Sequence, residues 1–285
     1  MGVKYFDCRK VAKIFYDMNE RDILNWGLIP KIAVLQVGDN DGDNAYNRAI
    51  KKKCDVSGIE FEHCQMKEDA SETDISIQLG KYNSDSTVDG ILLQMHRSRY
   101  HGNNCIRRIA NRINPIKDVD GLSDDSIAKL WTGIMCFKPC TAEAVIAALN
   151  ENNVPLDGEN AVIINRSDII GKPLAKMLLD KNATVTVCHS HTTENTLWTS
   201  FDNARVVVTG IGKAHYLGTY DISMRNNTDT MHIVDCGISK NENGICGDVE
   251  DDGSLKKVIL YQHLGALTTA ILLRHTVEAR HNYLR

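Results

Sequence analysis

A tyrosine followed by three consecutive lysines, in the segment NAYNRAIKKK that starts at residue 44, is the first candidate for acid–base chemistry. On a helix, residues four apart share a face, separated by about 40° of rotation. The residue four after Tyr46 is Ile50, whose side chain neither donates, accepts nor titrates. Lys51 and Lys52 are rotated about 140° and 120° from Tyr46, in opposite directions. Lys53 returns to within about 20° of Tyr46 but lies about 10 Å further along the helix. Lys53 is therefore the candidate catalytic lysine; the alternatives are Lys51 after a distortion of the helix, or only a solvated basic face.

A second candidate is a turn that could bind phosphate, in the segment AVIINRSDIIGKP that ends at Pro173. An apolar strand runs into a polar turn, and Gly171 opens a helix. Such a turn directs free backbone N–H groups and the positive end of the helix dipole at an anion. Arg166 and Ser167 add a guanidinium and a hydroxyl suited to a phosphate monoester. The G-x-G-x-x-G fingerprint is absent, so an ordinary strand–helix turn is the alternative.

The next predicted strand ends in the sequence CHSH at residues 188–191. In a doubly wound sheet, this strand end is where the adenosine ribose of a dinucleotide binds. Ser190, with no Asp or Glu beside it, favours a ribose 2′-phosphate and hence NADP over NAD. His189 and His191 resemble metal ligands only superficially, because no third ligand stands nearby in the sequence. We therefore predict no metal.

Short β-branched runs alternate with helical patterns along the chain, which predicts α/β units with parallel sheets and crossover helices. The segment 114–121, NPIKDVDG, interrupts the alternation and is predicted to be a loop, and the domain boundary is expected near Pro139. The predicted strands are 31–37, 60–66, 90–95, 161–164, 184–188, 205–209 and 232–236. The predicted helices are 43–57, 71–82, 141–152 with Thr141 as N-cap, 171–181, and 268–285.

Composition limits the class of protein. The chain has 285 residues and a net charge of −4, with a pI of about 6.2, so no overall basic field points to nucleic acid. No apolar run approaches the ~18 residues that a membrane span needs, which predicts no membrane partner. The nine cysteines are odd in number, scattered and without a Cys-x-x-Cys pair. This pattern favours a reducing, cytoplasmic location over a disulfide framework.

Several motifs, in order over most of the chain, resemble the methylenetetrahydrofolate dehydrogenase/cyclohydrolase family. RSDIIGKP and ATVTVCHSHT are similar to the family's G-R-S-x-I-V-G-x-P and A-T-V-T-x-C-H-S-x-T. YNRAIKKKCDVSGIE, GILLQM, INPIKDVDGL, KPCTA, VDCGIS and CGDVE match further family motifs. Many members oxidise 5,10-methylenetetrahydrofolate with NADP to 5,10-methenyltetrahydrofolate and then hydrolyse that product to 10-formyltetrahydrofolate.

The resemblance implies an architecture. It consists of an N-terminal three-layer α/β catalytic domain that binds tetrahydrofolate derivatives and a C-terminal Rossmann-like domain that binds NADP, with a cleft between them. The first domain is expected to span 1–139 together with the terminal helix 268–285, and the second to span 140–267. The family also suggests a homodimer that forms through the NADP-binding domain.

The resemblance also implies roles for individual residues. Tyr46 is expected to line the folate ring, Gln94 to support the catalytic lysine, and Asp120 to anchor the pterin by accepting its N–H bonds. Without the resemblance, Gln94 would pass for a surface residue, and Lys117, Asp118 and Asp120 for a solvated loop. The further expected substrate contacts are Gly265 and Thr268. The expected cofactor contacts are Asn165, Arg166, Ser167, Ile170, Gly171, Pro173, Ser190, Gly212, Gly237 and Ile238.

The departures from the family fall mainly on the folate side. Ile50 replaces the catalytic lysine, Asp43 replaces a serine, and His96-Arg97-Ser98 replace Pro-Leu-Pro. The Pro/Gly loop that closes over folate in the family corresponds to 258–268, VILYQHLGALT, and must have a different shape. Asn165 replaces the first glycine of the nucleotide turn and tolerates a left-handed backbone. Two interpretations stay open: an active dehydrogenase with weak or absent cyclohydrolase activity, or a non-enzymatic NADP-binding regulatory or scaffold protein.

Overall fold

The computed structural model describes residues 4–95, 103–219, 222, 229–242, 244–253 and 255–282. The chain divides into two compact units. The large-sheet unit consists of Met1–Val11 and Thr141–Thr268, and the small-sheet unit of Ala12–Cys140 and Thr269–Arg285. The segment His96-Arg97-Ser98 lies outside the described residues.

Strands and helices alternate along most of the described chain. The strands are β1 (Lys4–Asp7), β2 (Lys31–Val37), β3 (Glu60–Met66), β4 (Gly90–Met95), β5 (Asn160–Ile164), β6 (Thr184–Cys188), β7 (Val206–Thr209), β8 (Met231–Asp235), β9 (Ser239–Asn241), β10 (Gly244–Cys246) and β11 (Val258–Gln262). The helices are α1 (Arg9–Trp26), α2 (Asp41–Ser57), α3 (Glu72–Ser84), α4 (Asn103–Ala110), α5 (Asp124–Thr132), α6 (Cys140–Glu151), α7 (Gly171–Leu179), α8 (Glu194–Asp202) and α9 (Leu264–Asn282). A 3₁₀ turn spans Pro115–Lys117.

The small-sheet unit contains a parallel sheet of three strands in the order β3-β2-β4. Every residue of the central strand β2 after Lys31 is buried, as its mainly apolar run predicts. One face of the sheet forms an apolar core with α3 and α4. Helix α2 buries Asn47, Ile50, Cys54 and Ser57.

The ends of α2 are set by two capping residues. The Asn40 side chain accepts a hydrogen bond from the Asp43 N–H at 2.8 Å, so the helix begins at Asp41, two residues before the predicted start. Gly58 ends the helix at φ +71°, a left-handed conformation that favours glycine. Tyr46 and Ile50 therefore lie well inside the helix, where the angular argument from 3.6 residues per turn applies.

The large-sheet unit contains a parallel sheet of six strands in the order β1-β11-β8-β7-β5-β6. Strand β5 pairs with β6 on one side and with β7 on the other, which is the order expected of a doubly wound fold. Buried aliphatic side chains of β5, β7 and β8 pack with α8 in one core cluster. In a parallel sheet the carboxyl ends of the strands share one edge, so the loops after β5, β6, β7 and β8 meet there.

Four sequence expectations differ from the structure. Strand β1 was not predicted and pairs with β11, which puts Met1–Val11 in the large-sheet unit and not with the rest of 1–139. The segment 258–268 is not a loop but strand β11 followed by the start of α9, because its apolar alternation is that of a buried strand. Helix α6 begins at Cys140, so Thr141 is not its N-cap. Helices α1, α4, α5 and α8 and the short strands β9 and β10 were missed. Within the described residues, no helix is long and apolar enough to cross a membrane.

Candidate active site

Ile50 lies on the buried face of α2, as the helical spacing predicts. It has no exposed surface, and Asn47, three residues earlier, is 5% exposed. The three lysines that follow Ile50 are all exposed. Lys51 pairs with Asp55, one turn further along, at 2.9 Å. No lysine therefore takes the buried position of Ile50.

The ammonium of Lys53 lies 4.5 Å from the centroid of the Tyr16 ring. This distance is typical of a cation–π interaction. Burial is the main cause that raises the pKa of Tyr46, and the charge of Tyr16 is one of the smaller causes that raise it. Lys53 thus contacts an aromatic neighbour of Tyr46, and its catalytic role stays a prediction.

The motif KDVDG contains two buried residues with structural roles. The Lys117 ammonium donates to three backbone carbonyls at the carboxyl end of α3, at 2.7–3.0 Å. The Asp118 carboxylate accepts from the N–H groups of residues 122 and 123 and from the Ser126 hydroxyl, at 2.7–3.1 Å. Gly121 has φ +65°, and a Cβ there would lie 2.6 Å from the carbonyl oxygen of Phe137. A solvated loop is therefore the wrong interpretation of this motif, because Lys117 fastens it to the end of α3 and Asp118 fastens it to the start of α5.

Asp120, between these fixed residues, belongs to a polar cluster with Tyr46, Cys140 and Thr269. The Cys140 side chain hydrogen-bonds to the Asp120 carboxyl, and Tyr46 hydrogen-bonds to Thr269. Burial and then the charge of Asp118 raise the pKa of Asp120, Cys140 and His275 oppose the rise, and the net pKa is about 7. Near neutral pH this carboxyl is therefore present in both forms. Its ionised form can accept hydrogen bonds from the N–H groups of a ring system.

Gln94 is the remaining predicted site residue of the small-sheet unit. It is held by Asn47, which was not predicted from the sequence. The Asn47 amino group donates to the Gln94 carbonyl oxygen at 2.8 Å and to the Gln36 carbonyl oxygen at 2.8 Å. The Nε2 atom of His63 lies 3.0 Å from the same oxygen of Gln36. The available signal was Gln36, a polar residue inside the apolar run KIAVLQV. Its pairing with Gln94 across the sheet could have suggested a buried polar cluster.

In the large-sheet unit, the turn after β5 is organised by the side chain of Asn165. Its carbonyl oxygen accepts from the N–H groups of Ser167 at 2.7 Å and Gly171 at 3.1 Å, and its amino group donates to the Gly210 carbonyl. The Ser167 hydroxyl accepts from the N–H of Ile170 at 3.1 Å. The prediction that these amides are free to bind an anion is therefore wrong. Asn165 is not left-handed either; it serves the turn through its side chain.

Glycines in the large-sheet unit stand where a side chain would collide with fixed groups. A Cβ on Gly171 would lie 2.1 Å from the backbone carbonyl oxygen of Asn165. A Cβ on Gly237 would lie 2.2 Å from the carboxyl carbon of Asp248. Asp248 is fully buried, and it accepts from the Thr209 hydroxyl and from three successive N–H groups, at residues 211–213. This carboxylate holds the loop that contains Gly212, at φ +74°, in one conformation.

Arg166 and Ser190 follow adjacent strands at matching positions. Ile164 of β5 and Cys188 of β6 are register partners, and the two candidates come two residues later on their respective strands. Both are exposed. A guanidinium and a hydroxyl at neighbouring strand ends can bind one phosphate together.

The other expected contact residues lie in different settings. Pro173 is buried in the first turn of α7, where its missing N–H is tolerated. Ile170 directly precedes that helix and is half-buried, whereas Ile238 is 77% exposed. Gly265 and Thr268 lie in the first two turns of α9, and the Thr268 hydroxyl donates to the Leu264 carbonyl at 3.3 Å.

In comparison with known proteins, the chain matches two domains of one protein family. Residues 6–120 match the tetrahydrofolate dehydrogenase/cyclohydrolase catalytic domain, and residues 139–284 match the NAD(P)-binding domain of the same family. A bifunctional protein FolD from Agathobacter rectalis is 35% identical over 256 residues, 87% of each chain. Another, from Clostridium botulinum, is 36% identical over 275 residues, 94% of each chain. The structure is similar to that of the bifunctional enzyme FolD from Campylobacter jejuni, with a TM-score of 0.89, 28% identity and 99% of both chains covered.

Proposed function

Because this chain belongs to the tetrahydrofolate dehydrogenase/cyclohydrolase family, we propose that it oxidises 5,10-methylenetetrahydrofolate to 5,10-methenyltetrahydrofolate in one-carbon folate metabolism, with NADP as the cofactor. The observation that carries the proposal is the partly buried Asp120 carboxyl beside Tyr46, with its pKa raised to about 7. An acid whose pKa is shifted this far by its surroundings is a candidate functional group, because perturbed pKa values cluster at functional sites.

Asp120 binds the pterin and Tyr46 lines the ring. The ionised carboxylate accepts hydrogen bonds from pterin N–H groups, which replaces the water lost on burial. Lys117 and Asp118 hold the loop on both sides of Asp120, so the carboxylate is placed before the substrate arrives. Preorganisation of this kind lowers the entropic cost of binding and orients the one-carbon unit.

The large-sheet unit fits the cofactor. A side chain on Gly171 would collide with the turn after β5, and one on Gly237 would collide with the Asp248 carboxyl; parallel strand ends of this type bind dinucleotides. Arg166 and Ser190 bind the 2′-phosphate, which selects NADP over NAD. NADP held there would supply the acceptor for the hydride that leaves the methylene carbon. What the protein contributes to that step is binding and orientation.

Hydrolysis of the methenyl product makes a different demand. Water adds to the methenyl carbon, one of the two carbon–nitrogen bonds of that carbon breaks, and a proton is released as 10-formyltetrahydrofolate forms. Ile50 cannot move that proton, and removal of an acid–base group typically slows such a step about 10²–10⁴-fold. The chain is therefore mainly a dehydrogenase, and it hydrolyses the methenyl product slowly.

The alternative, a non-enzymatic NADP-binding regulatory or scaffold protein, is less well supported. The relatives that span 87–94% of the chain are bifunctional proteins, and the small-sheet unit keeps the polar Asp120 cluster at a cost in stability. We further place the protein in the cytoplasm, as a homodimer formed through the large-sheet unit. No disulfide joins the eight cysteines whose side chains the structure describes, which suits a reducing compartment.

A spectrophotometric assay tests the proposal. Methylenetetrahydrofolate and NADP should give NADPH and methenyl product in equal amounts, and the methenyl product should then persist for much longer than its time of formation. Protein that binds NADP, as measured by a raised melting temperature, but forms no NADPH at high concentration would refute the dehydrogenase. Hydrolysis as fast as oxidation would refute the role given to Ile50.

A further inference from the structure

A buried series of side-chain amides connects the loop after β2 with Gln94 on β4. We call Gln36, Asn47 and Gln94 the amide relay. Gln36 is fully buried, and Asn47 and Gln94 are 5% and 8% exposed. Because an amide can be turned end for end, each link needs an argument for which atom donates.

Two fixed acceptors determine the orientation of the first amide. The Gln36 amino group donates to the Gly38 carbonyl at 3.2 Å and to the Asn44 side-chain oxygen at 3.0 Å. The Asn44 amino group in turn donates to the Asp39 carboxylate at 2.7 Å. A backbone carbonyl and a carboxylate can only accept. The Gln36 amino group must therefore face the loop, and its carbonyl oxygen must face Asn47.

The same logic carries the orientation to Gln94. Asn47 must present its amino group to the Gln36 oxygen, 2.8 Å away, and its second N–H reaches the Gln94 oxygen, also at 2.8 Å. Both amino protons are then used. His63 Nε2, which lies 3.0 Å from the Gln36 oxygen and 3.3 Å from the Asn47 nitrogen, must carry a proton and donate to Gln36. The carbonyl oxygen of Gln94 thereby accepts from Asn47, whereas the Gln94 amino group has no acceptor among the described residues.

Two buried atoms of the relay have no partner within the described residues: Gln94 Nε2, a donor, and Asn47 Oδ1, an acceptor. Buried polar atoms in native structures are nearly always paired, so each unpaired atom indicates a water or a ligand. We propose that Asn47 is a positioning residue. It holds the Gln94 side chain so that the N–H groups of Gln94 face the substrate and donate to an acceptor atom of the bound folate. This inference rests on the proposed function, because it assumes that the ligand near Gln94 is a folate.

The relay also accounts for the change at Ile50. A lysine at that position would be a cationic donor for the Gln94 carbonyl, and in this chain Asn47, on the same helix, is the donor instead. The substitution exchanges a titratable group for a neutral one that keeps the orientation of Gln94. On this basis orientation of the substrate is retained, whereas proton transfer is lost.

Nuclear magnetic resonance of the side-chain amides tests the orientation without any enzymatic turnover. In ¹⁵N-labelled protein, the amino protons of Asn47 should exchange slowly with water, and those of Gln94 should exchange faster. Asn47→Leu and Gln94→Leu assign the two signals. Tetrahydrofolate should shift the Gln94 amino protons downfield. Slow exchange of the Gln94 protons in the free protein, or binding of tetrahydrofolate that leaves them unshifted, overturns the proposal.

A double-mutant cycle tests whether Asn47 acts through Gln94. Asn47→Leu should lower kcat for methylenetetrahydrofolate oxidation about 3- to 10-fold, equivalent to one hydrogen bond. In the Gln94→Leu background, the same change should lower kcat less than 2-fold. Asn150→Leu, on an exposed helical position, is the matched control and should leave kcat unchanged.

A merely structural role for Asn47 predicts the same fold-change in both backgrounds, and that result overturns the proposal. If Asn47→Leu does not fold, the exchange measurement on the wild-type protein still decides. If wild-type protein neither binds tetrahydrofolate nor oxidises methylenetetrahydrofolate, the proposed function fails, and exchange in the free protein still tests the relay.

Discussion

Acidification should weaken folate binding through Asp120. The carboxyl must be ionised to accept two hydrogen bonds from the pterin, and a protonated carboxyl would instead meet N–H donors with a donor of its own. In the ligand-free protein burial raises the pKa of Asp120 to about 7. Binding therefore requires the loss of a proton over the whole range below that value.

The size of the effect follows from the pKa. With a pKa of about 7, about nine-tenths of the carboxyl is ionised at pH 8 and about one-tenth at pH 6. If only the ionised form binds, the Kd for tetrahydrofolate rises about 10-fold between pH 8 and pH 6. It rises about 10-fold more for the next pH unit and changes little above pH 8.

Equilibrium titration with tetrahydrofolate, without NADP, measures this dependence. Asp120→Asn is the control, because an amide occupies the same volume and does not titrate. The variant should bind more weakly than wild type at pH 8 and show a nearly flat Kd between pH 6 and 8. A wild-type Kd that is flat over this range, or an equal slope in the variant, would refute the argument.

The same variant gives a stability test with a defined sign. For an acid whose folded-state pKa is raised from 3.8 to about 7, the penalty for burying the charge is absent below the unfolded pKa. It grows between about pH 4 and 7 and is complete above about pH 7. Asp120→Asn should therefore raise the melting temperature at pH 8 and have little effect at pH 3.5. A variant that is less stable than wild type at pH 8 would show that ionised Asp120 has compensating partners.

Three further predictions concern the other sites. Ile50→Lys should accelerate methenyl hydrolysis by about 10²-fold or more while lowering the melting temperature, because an ammonium replaces a fully buried apolar side chain; an unchanged hydrolysis rate in folded protein would contradict this. Arg166→Ala should weaken NADP binding roughly 10- to 150-fold, equivalent to one charged hydrogen bond, and NAD binding less than 2-fold in the same titration; equal losses would rule out the 2′-phosphate contact. Gly171→Ala should destabilise the fold by at least about 1–3 kcal/mol in denaturant unfolding, because its Cβ would lie 2.1 Å from the carbonyl oxygen of Asn165. Gly80→Ala, where nothing lies within 4 Å of the added carbon, should be neutral or stabilising.

The parallel strands of both units could be predicted because burial on two faces produces short, mainly apolar runs rich in β-branched residues, such as KIAVLQV and RVVVT. The missed elements have weaker local signals. Strand β1 has four residues, two of them exposed, and only its pairing with β11 makes it a strand. The apolar run at β11 was predicted as a loop because the resemblance to a Pro/Gly loop took precedence over its own alternation.

Sequence by itself determined the family, the α/β class and the absence of a lysine at the buried position of α2, because motifs, strand runs and helical angles are properties of neighbouring residues. Tertiary structure decided what replaces the lysine. Asn47, Gln36 and Gln94 come from a helix and two strands, and hydrogen bonds between them depend on distances that no sequence spacing encodes. In the same way, the side chain of Asn165 takes the amides that the sequence left free for an anion. Buried polar groups must find partners wherever the fold provides them, and only the folded chain shows which partners those are.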